Sequence, residues 1–486
     1  MSKMSYSEGV YSSVFTLSLF CKWRNTNSNA DIPEEPLPST QRPVPSTQQQ
    51  LQSSLLNLVK YLKANFRLLL FNYIAMVNKM LKSMFYRIVS LLPALVLMSS
   101  CSTTEEQLAR KADKIHASIL TVDTHCDTPM DFRDPGFDMG VRHDEGCVDF
   151  PRMTEGGLHS EFFAVFTGQG PRNDSTFTRV HKEAIDIFNA IHKNVEKNSA
   201  VAELAYTPED GYRIRKDGKI AAYIGLENGY PIGRDLSRVK EFYDLGARYI
   251  TLCHTRNNDI CDSSNDPAGT EHNGLSDFGK DVVKEMNTLG MMVDVSHISD
   301  KSFYDVLSIS KTPVIASHSS CRALCCNPRN LSDDMLQALK ANGGVIQICI
   351  LSAYLKTAEP NPEMEASLNE LRARYGDYDT ISTEARKETM RTEFRAIRKK
   401  YEKLATVSDI ADHIDHVVQV IGIDYVGIGT DFDGGGGVDG CRNASEMKNI
   451  TKELLRRGYS KNDIEKIWSG NIMRVFRKVQ ETATSV

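Results

Sequence analysis

Six short stretches of this chain end an apolar, β-branched run on a histidine or an acidic residue. They read Val122-Asp123-Thr124-His125-Cys126-Asp127, Gly225-Leu226-Glu227-Asn228-Gly229, Leu252-Cys253-His254-Thr255, Val293-Asp294-Val295-Ser296-His297, Ala316-Ser317-His318-Ser319-Ser320 and Gly429-Thr430-Asp431-Phe432-Asp433-Gly434. One histidine at the end of a strand is more often structural than functional. Six such ends at equivalent positions make a constellation. His125 and Asp127 are two apart, so extended backbone turns both to the same side. Imidazole with carboxylate suits Zn²⁺ or a similar divalent ion. Adding Glu227, His297 and His318 gives five ligands, too many for one catalytic zinc that must keep a position open. The set suits two metals ~3.5–4 Å apart bridged by a carboxylate. Such a pair lowers the pKa of a shared water and polarises a carbonyl, which is the chemistry of amide or ester hydrolysis.

Plainer readings of the same residues fare less well. The Asp-Thr-His-Cys-Asp stretch could be a turn and a helix cap. The run from Asp431 to Gly437 suggests calcium, but an EF-hand loop needs an oxygen ligand at its fifth position and Glu at its twelfth, where this chain has Gly435 and Arg442. Gly434 to Gly437 reads better as a loop that turns sharply or approaches a ligand.

The elements that must position these residues follow from periodicity. Past residue 104, apolar runs at 119–125, 161–167, 219–226, 247–253, 290–296, 313–317, 344–350 and 424–430 read as strands buried on both faces. Amphipathic segments at 178–196, 236–245, 277–289, 300–309 and 333–341 read as helices between them, with Ser276 as an N-cap without a full capping box. Eight βα repeats predict an α/β fold, a TIM-like (β/α)₈ barrel whose active site lies at the C-terminal ends of its strands. The open doubly wound sheet is disfavoured, since no Gly-x-Gly-x-x-Gly turn follows the first strand. A stretch at about 355–418, dense in Glu, Lys and Arg of mixed sign, predicts a solvated helical insertion.

Length admits one large domain or two or three ordinary ones, and composition is that of a globular protein with apolar residue enough for a large core. The chain has 486 residues, 41% of them hydrophobic and 25% charged, and a net charge of −5, which gives no basic face for nucleic acid. Nine cysteines follow Cys101, and no Cys-x-x-Cys pair marks a zinc ribbon or redox motif.

The first hundred residues stand apart. Residues 29–50 are rich in Pro, Ser, Thr and Gln, a composition that buries no core, so residues 1–79 read as a disordered upstream extension. Lys82 and Arg87 precede the apolar run Ile88 to Met98, which ends in Ser99-Ser100-Cys101. A basic flank, a short apolar run and small residues make residues 80–100 a signal peptide, the run being shorter than the ~20 residues of a membrane-spanning helix. The ending resembles a bacterial lipobox, with Met98 where leucine is usual. This implies a lipidated Cys101 as first mature residue, a domain of residues 101–486 and a place on the periplasmic or outer side of the cell envelope.

The ordered motifs over 115–480 resemble the membrane (renal) dipeptidase family of zinc peptidases. Besides the strand ends, Gly290-Met291-Met292-Val293-Asp294-Val295-Ser296-His297-Ile298-Ser299, Pro328-Arg329-Asn330-Leu331 and Gly470-Asn471 with Arg474-Val475-Phe476 have counterparts there. The resemblance implies that His125, Asp127 and Glu227 hold one zinc and that Glu227, His297 and His318 hold the other. It makes Asp431 the acid/base and His254 a substrate contact that steadies the tetrahedral intermediate. Arg329 falls where the family has an arginine facing the substrate. Asn228-Gly229-Tyr230 departs from a more usual Gly-rich sequence. The function so implied is hydrolysis of dipeptides, including those with C-terminal D-residues, by a hydroxide bridging two Zn²⁺. The competing readings are another two-metal amidohydrolase and a non-catalytic surface lipoprotein on the same barrel. The relatives of the first kind commonly open with His-x-His and use a modified lysine, where this chain has His-x-Asp and Glu. Expected partners are dipeptides and a membrane through Cys101, with no nucleic acid, and a homo-oligomer is compatible with the sequence.

Overall fold

Nine short parallel strands carry the architecture in the computed structural model, which describes residues 47–133, 136–376, 384–401 and 403–483. They are β1 (Val122–Cys126), β2 (Ser160–Phe166), β3 (Ala202–Leu204), β4 (Ile220–Glu227), β5 (Ala247–Thr251), β6 (Met292–Asp294), β7 (Ile315–Ser319), β8 (Val345–Ile348) and β9 (Val426–Ile428). Eight of them follow the order β1-β2-β4-β5-β6-β7-β8-β9, and β3 pairs only with β4. The circuit closes between β1 and the chain after β9, where Asp127 N donates to Phe432 O at 2.8 Å and Asp431 N to His125 O at 3.0 Å. This is the expected (β/α)₈ barrel. Each of the eight apolar runs supplies one barrel strand. The three-residue β3 was not anticipated; it is too short to show a period.

The five expected helices form at Asp174–Lys197, Ser237–Asp244, Asp277–Leu289, Asp300–Ile309 and Asp333–Asn342. Asp174–Lys197 shows why. It buries Phe177, Val180, Ala184, Ile187, Phe188, Ile191 and Val195, a stripe at three- and four-residue spacing. Ser276, Ser299 and Ser332 cap three of the others by accepting a backbone N–H three residues on. Helices at Pro208–Lys216, Lys448–Arg456 and Asn471–Thr482 were not foreseen.

The charged stretch expected at 355–418 divides in two. Helices Pro362–Tyr375 and Glu384–Tyr401 pack chiefly on each other through Leu371 and Met390. Val407–Val420 instead buries Ile410, Ala411, His413, Ile414 and Val417 in the main core. Its acidic residues hid that apolar face.

The chain divides into units Met1–Ala94 and Leu95–Val486. Of the extension expected at 1–79, residues 1–46 lie outside the described residues. From Thr47 onward the backbone is helical, through His116. The composition argument for disorder rested on 29–50 and does not reach past it. The side chains of the expected signal segment beyond Phe85, Cys101 included, lie outside the described residues. Among the described residues no helix is long and apolar enough to cross a membrane. The nine cysteines from Cys126 to Cys441 carry free thiols.

Candidate active site

The strand ends gather their polar residues as a barrel requires. His125 lies in β1 with Asp127 just beyond it, Glu227 ends β4, and His318 lies in β7. His254, His297 and Asp431 each stand three residues past the last residue of β5, β6 and β9.

Glu227 is the centre. Its Oε2 lies 3.5 Å from His125 Nε2. Its Oε1 lies 3.1 Å from His297 Nε2, 3.5 Å from His318 Nε2 and 3.8 Å from His254 Nε2. The two carboxylate oxygens thus divide the imidazoles between them. Asp127 Oδ2 is 3.6 Å from His125 Nε2. Three overlapping groups have the spacing of metal ligands: His125, Glu227 and His318; Glu227, His254 and His297; and His125, Asp127 and Asp431. The five expected ligands are therefore together, and so are His254 and Asp431.

Polar neighbours fix which ring nitrogen faces the cluster. Tyr249 donates its hydroxyl proton to Thr124 O at 3.2 Å, so its oxygen, 2.9 Å from His125 Nδ1, accepts from that nitrogen. This leaves His125 Nε2 to face the cluster. In the same way Ser317 Oγ donates to Asp294 Oδ2 at 2.6 Å and accepts from His318 Nδ1 at 2.8 Å. Asp294 is itself held by the N–H groups of Ser296 at 3.0 Å and Ser317 at 2.8 Å. Such outer hydrogen bonds orient metal-binding imidazoles and raise their basicity. His297 Nε2 and His318 Nε2 then face each other at 2.8 Å. His125 Nε2 and Asp127 Oδ1 are buried with no hydrogen-bond partner. Unpaired buried atoms of this kind are costly. Imidazole nitrogens and carboxylate oxygens converging in a buried pocket fit a divalent cation.

Electrostatics point the same way. Burial opposes charge on both partners, yet Tyr249 and Glu227 hold the His125 ring well above its ordinary value, and that charged ring in turn holds Glu227 well below its own, so the carboxylates draw positive charge into the cluster. Burial, with Glu227 alongside, pushes Asp127 up to about 6. Burial and the neighbouring Asp127 push Asp431 well above the usual carboxylate range. Burial lowers His297 well below its ordinary value and His318 to about 3, which keeps both rings neutral as metal binding needs. Three crowded carboxylates call for a cation.

His254 is the most open member, its side chain 27% exposed, edge-on to Phe166 with ring centres 4.9 Å apart. Arg329 is buried, donates from Nη2 to His318 O at 3.1 Å, and keeps Nε unpaired. Its guanidinium lies 5.2 Å from the centre of the Tyr354 ring. Asp433 is committed elsewhere, accepting from Thr128 Oγ1 and Cys147 N, each at 2.7 Å. A cleft of about 590 Å³ opens between the loops after β2 and β5, lined by Gln169, Arg172, Arg256, Asn257, Asp266 and Glu271 among others.

Backbone strain concentrates here. His297, Asp431 and Asn228 have φ of 71°, 60° and 71°, in the left-handed region that few non-glycine residues adopt. Asn228 tolerates it by closing a turn onto Tyr230 N at 3.2 Å, which accounts locally for the Asn-Gly-Tyr departure. Two glycines are required by close approach. A Cβ at Gly434 would run into the carboxylates of Asp127 and Asp431, and one at Gly225 into the ring of Tyr249.

The sequence did not single out Tyr249, Asp294 or Ser317 as partners of the ligands, nor Tyr354 or Cys349. Only the Asp and Ser of the Val-Asp-Val-Ser-His and Ser-His motifs gave a local hint.

Comparison with known proteins agrees with this geometry. Residues 109–486 match the family described as membrane dipeptidase, peptidase family M19. Dipeptidase tcpJ of Claviceps purpurea is 34% identical over 346 residues, covering 70% of this chain and 71% of the relative. Dipeptidase 3 of Homo sapiens is 31% identical over 383 residues, covering 77% and 68%. The crystal structure of the probable dipeptidase PvdM from Pseudomonas aeruginosa aligns with a TM-score of 0.69 at 33% identity, covering 78% of this chain and 100% of that one. A barrel with this cluster at its strand ends, matched along its whole length, belongs to the membrane dipeptidase family of metal-dependent dipeptidases, peptidase family M19.

Proposed function

We propose that the chain is a two-zinc dipeptidase tethered to a bacterial cell envelope by lipid on Cys101. The observation that carries the two-metal part is the division of imidazoles between the two oxygens of Glu227. His125, Asp127 and Glu227 would hold one Zn²⁺, and Glu227, His297 and His318 the other. Zinc bound there would supply Lewis-acid polarisation of the scissile carbonyl and an activated water.

The chain's own residues do the rest. Asp431, buried and pushed by burial and by Asp127 above the usual carboxylate range, takes a proton from the attacking water and returns it to the leaving amine. His254, neutral and partly open, donates to the oxygen on which negative charge develops. Arg329 pairs with a substrate carboxylate, and its unpaired Nε leaves a donor for it. A peptidase that binds a carboxylate so near the reacting bond accepts short substrates only. Residues with D-configuration at the C-terminal side belong to the proposed range.

The test is metal titration of the purified protein with a dipeptide panel, L- and D-residues at the second position. Two zinc ions per chain and cleavage of dipeptides but not tripeptides are expected. One ion at full activity, or no preference for length, would overturn the reading. For the tether, mass spectrometry of native material should find acylated Cys101, and a chain starting at Thr103 should be soluble and fully active. Two acyl chains are needed, since ~0.8 kcal/mol per buried CH₂ makes one chain a weak anchor. A Cys101→Ala protein still found with membranes would count against lipidation.

A further inference from the structure

The thiol of Cys349 is close to the reacting groups and has no part in the chemistry described so far. It sits one residue past β8, wholly buried. Its N–H donates to Ser319 O at 3.0 Å and its carbonyl accepts from Ser320 Oγ at 3.1 Å, so the backbone there is fixed on both sides. The side chain points at the acid/base: Cys349 Sγ lies 3.6 Å from Asp431 Oδ2. Among the described residues this is the one hydrogen bond to that carboxylate from a side chain or N–H.

Asp431 needs such a partner. Its φ of 60° is held in the left-handed region by its surroundings, and contacts around it must also set where the carboxyl points. Asp127 stands beside it and repels it when both are charged. Gly434 bounds the carboxylate from Oδ1, leaving the Oδ2 side to Cys349. The glycine loop is also tied to the end of β8, since Gly437 N donates to Ile350 O at 3.1 Å.

We propose that Cys349 is a positioning residue whose S–H group holds the Asp431 carboxyl in the orientation from which it exchanges protons with the reacting groups. This rests on the reading of Asp431 as the acid/base. A thiol is a weak but long donor, and it suits a carboxylate that must turn between water and leaving amine without being locked to one of them.

The test compares Cys349→Val and Cys349→Ala, which lose the donor, with Cys349→Ser, which keeps one. Val and Ala should lower kcat about twofold to fivefold, the lower part of what one hydrogen bond contributes, as a weak donor implies. KM, zinc content and Tm should stay close to wild type, and Ser should recover most of the loss. Wild-type kcat in the Val variant, equal losses in all three, or losses that follow zinc content would each overturn the proposal. A second readout needs no Cys349 variant. In infrared difference spectra of the whole protein, one S–H stretching band should rise in frequency in Asp431→Asn, because an amide accepts more weakly than a carboxylate. An unshifted band overturns the contact. Full turnover by Asp431→Asn would instead sink the acid/base reading while leaving the band shift intact, so the two failures are distinguishable.

Discussion

At the N-terminal end of the barrel the interior is filled by aromatic rings, whereas at the C-terminal end it is lined by polar atoms. In the floor, Phe162 stacks on Tyr223 at 4.6 Å and on Tyr249 at 5.7 Å, and Phe476 of the last helix closes on Tyr223 at 5.9 Å. All four side chains are fully buried. At the mouth, the loops carry Asn228, His297, Asp431 and Asp433 at positive φ, and His125 Nε2, Asp127 Oδ1 and Arg329 Nε lack partners. Burial at ~25 cal/mol per Å² makes the floor a source of stability. Strain and unpaired buried groups make the mouth a drain on it. The floor holds in place an arrangement that would not assemble on its own merits. Tyr249 belongs to both ends, its ring in the floor and its hydroxyl on His125.

If that division is right, changes at the mouth should cost chemistry and changes at the floor should cost stability. Glu227→Gln is the severest test of the mouth. It should abolish activity and bring metal content below two per chain, and full occupancy would dismiss Glu227 as a shared ligand. Asp431→Asn should lower kcat by ~10²–10⁴ with metal retained. Turnover near wild type would remove Asp431 from proton transfer, and Asp433, already bound by Thr128 and Cys147, is a poor substitute. Tyr249→Phe probes the link between the ends. Loss of an outer partner to a metal-binding imidazole costs about 10–100-fold in metal affinity or activity, here with a nearly unchanged Tm. A large fall in Tm would place Tyr249 wholly in the floor.

At the floor, Phe476→Ala should cost about 3–5 kcal/mol in urea unfolding, while the fraction that stays folded keeps wild-type kcat. A kcat loss larger than the stability loss explains would blur the division. The smallest expected effect is a pH dependence away from both ends. His116 accepts or donates through Nε2 to Thr451 Oγ1 at 2.7 Å and meets the edge of Trp468 at 5.2 Å. Burial pushes it down from 6.5 to about 4. Above pH 6.5 it is neutral in both states. Between 6.5 and 4 only the unfolded chain takes up the proton, so stability falls as pH is lowered through that window, by up to roughly 3 kcal/mol from this group. Unfolding at pH 7 and 4.5 measures the difference, and His116→Gln should make it smaller by the share of this group. An equal slope in the variant would assign the acid sensitivity to the other buried histidines with lowered values, His159, His297 and His318.

How much of this was legible follows from where each signal resides. The eight barrel strands were visible because strands buried on both faces must be runs of apolar residues, whatever the rest of the chain does. The long helices were visible because a helix packed on a sheet repeats its apolar stripe every three to four residues. The candidate ligands were visible because a barrel brings the C-terminal ends of its strands to one mouth, so residue type at a strand end is enough to single them out. Val407–Val420 was obscured by the charges around its apolar stripe, and β3 was too short to declare itself.

The sequence by itself thus determined the barrel, the order of its eight strands and the candidate metal-binding side chains. Only the tertiary structure decided which nitrogen of each imidazole faces the cluster, which oxygen of Glu227 meets which ring, and which neighbours hold Asp431. The physical reason is range. A strand or helix is encoded in neighbours a few residues apart, but His125 meets Tyr249 124 residues away and Cys349 meets Asp431 82 residues away. Such pairs leave no period in the chain and come into being only when the barrel closes.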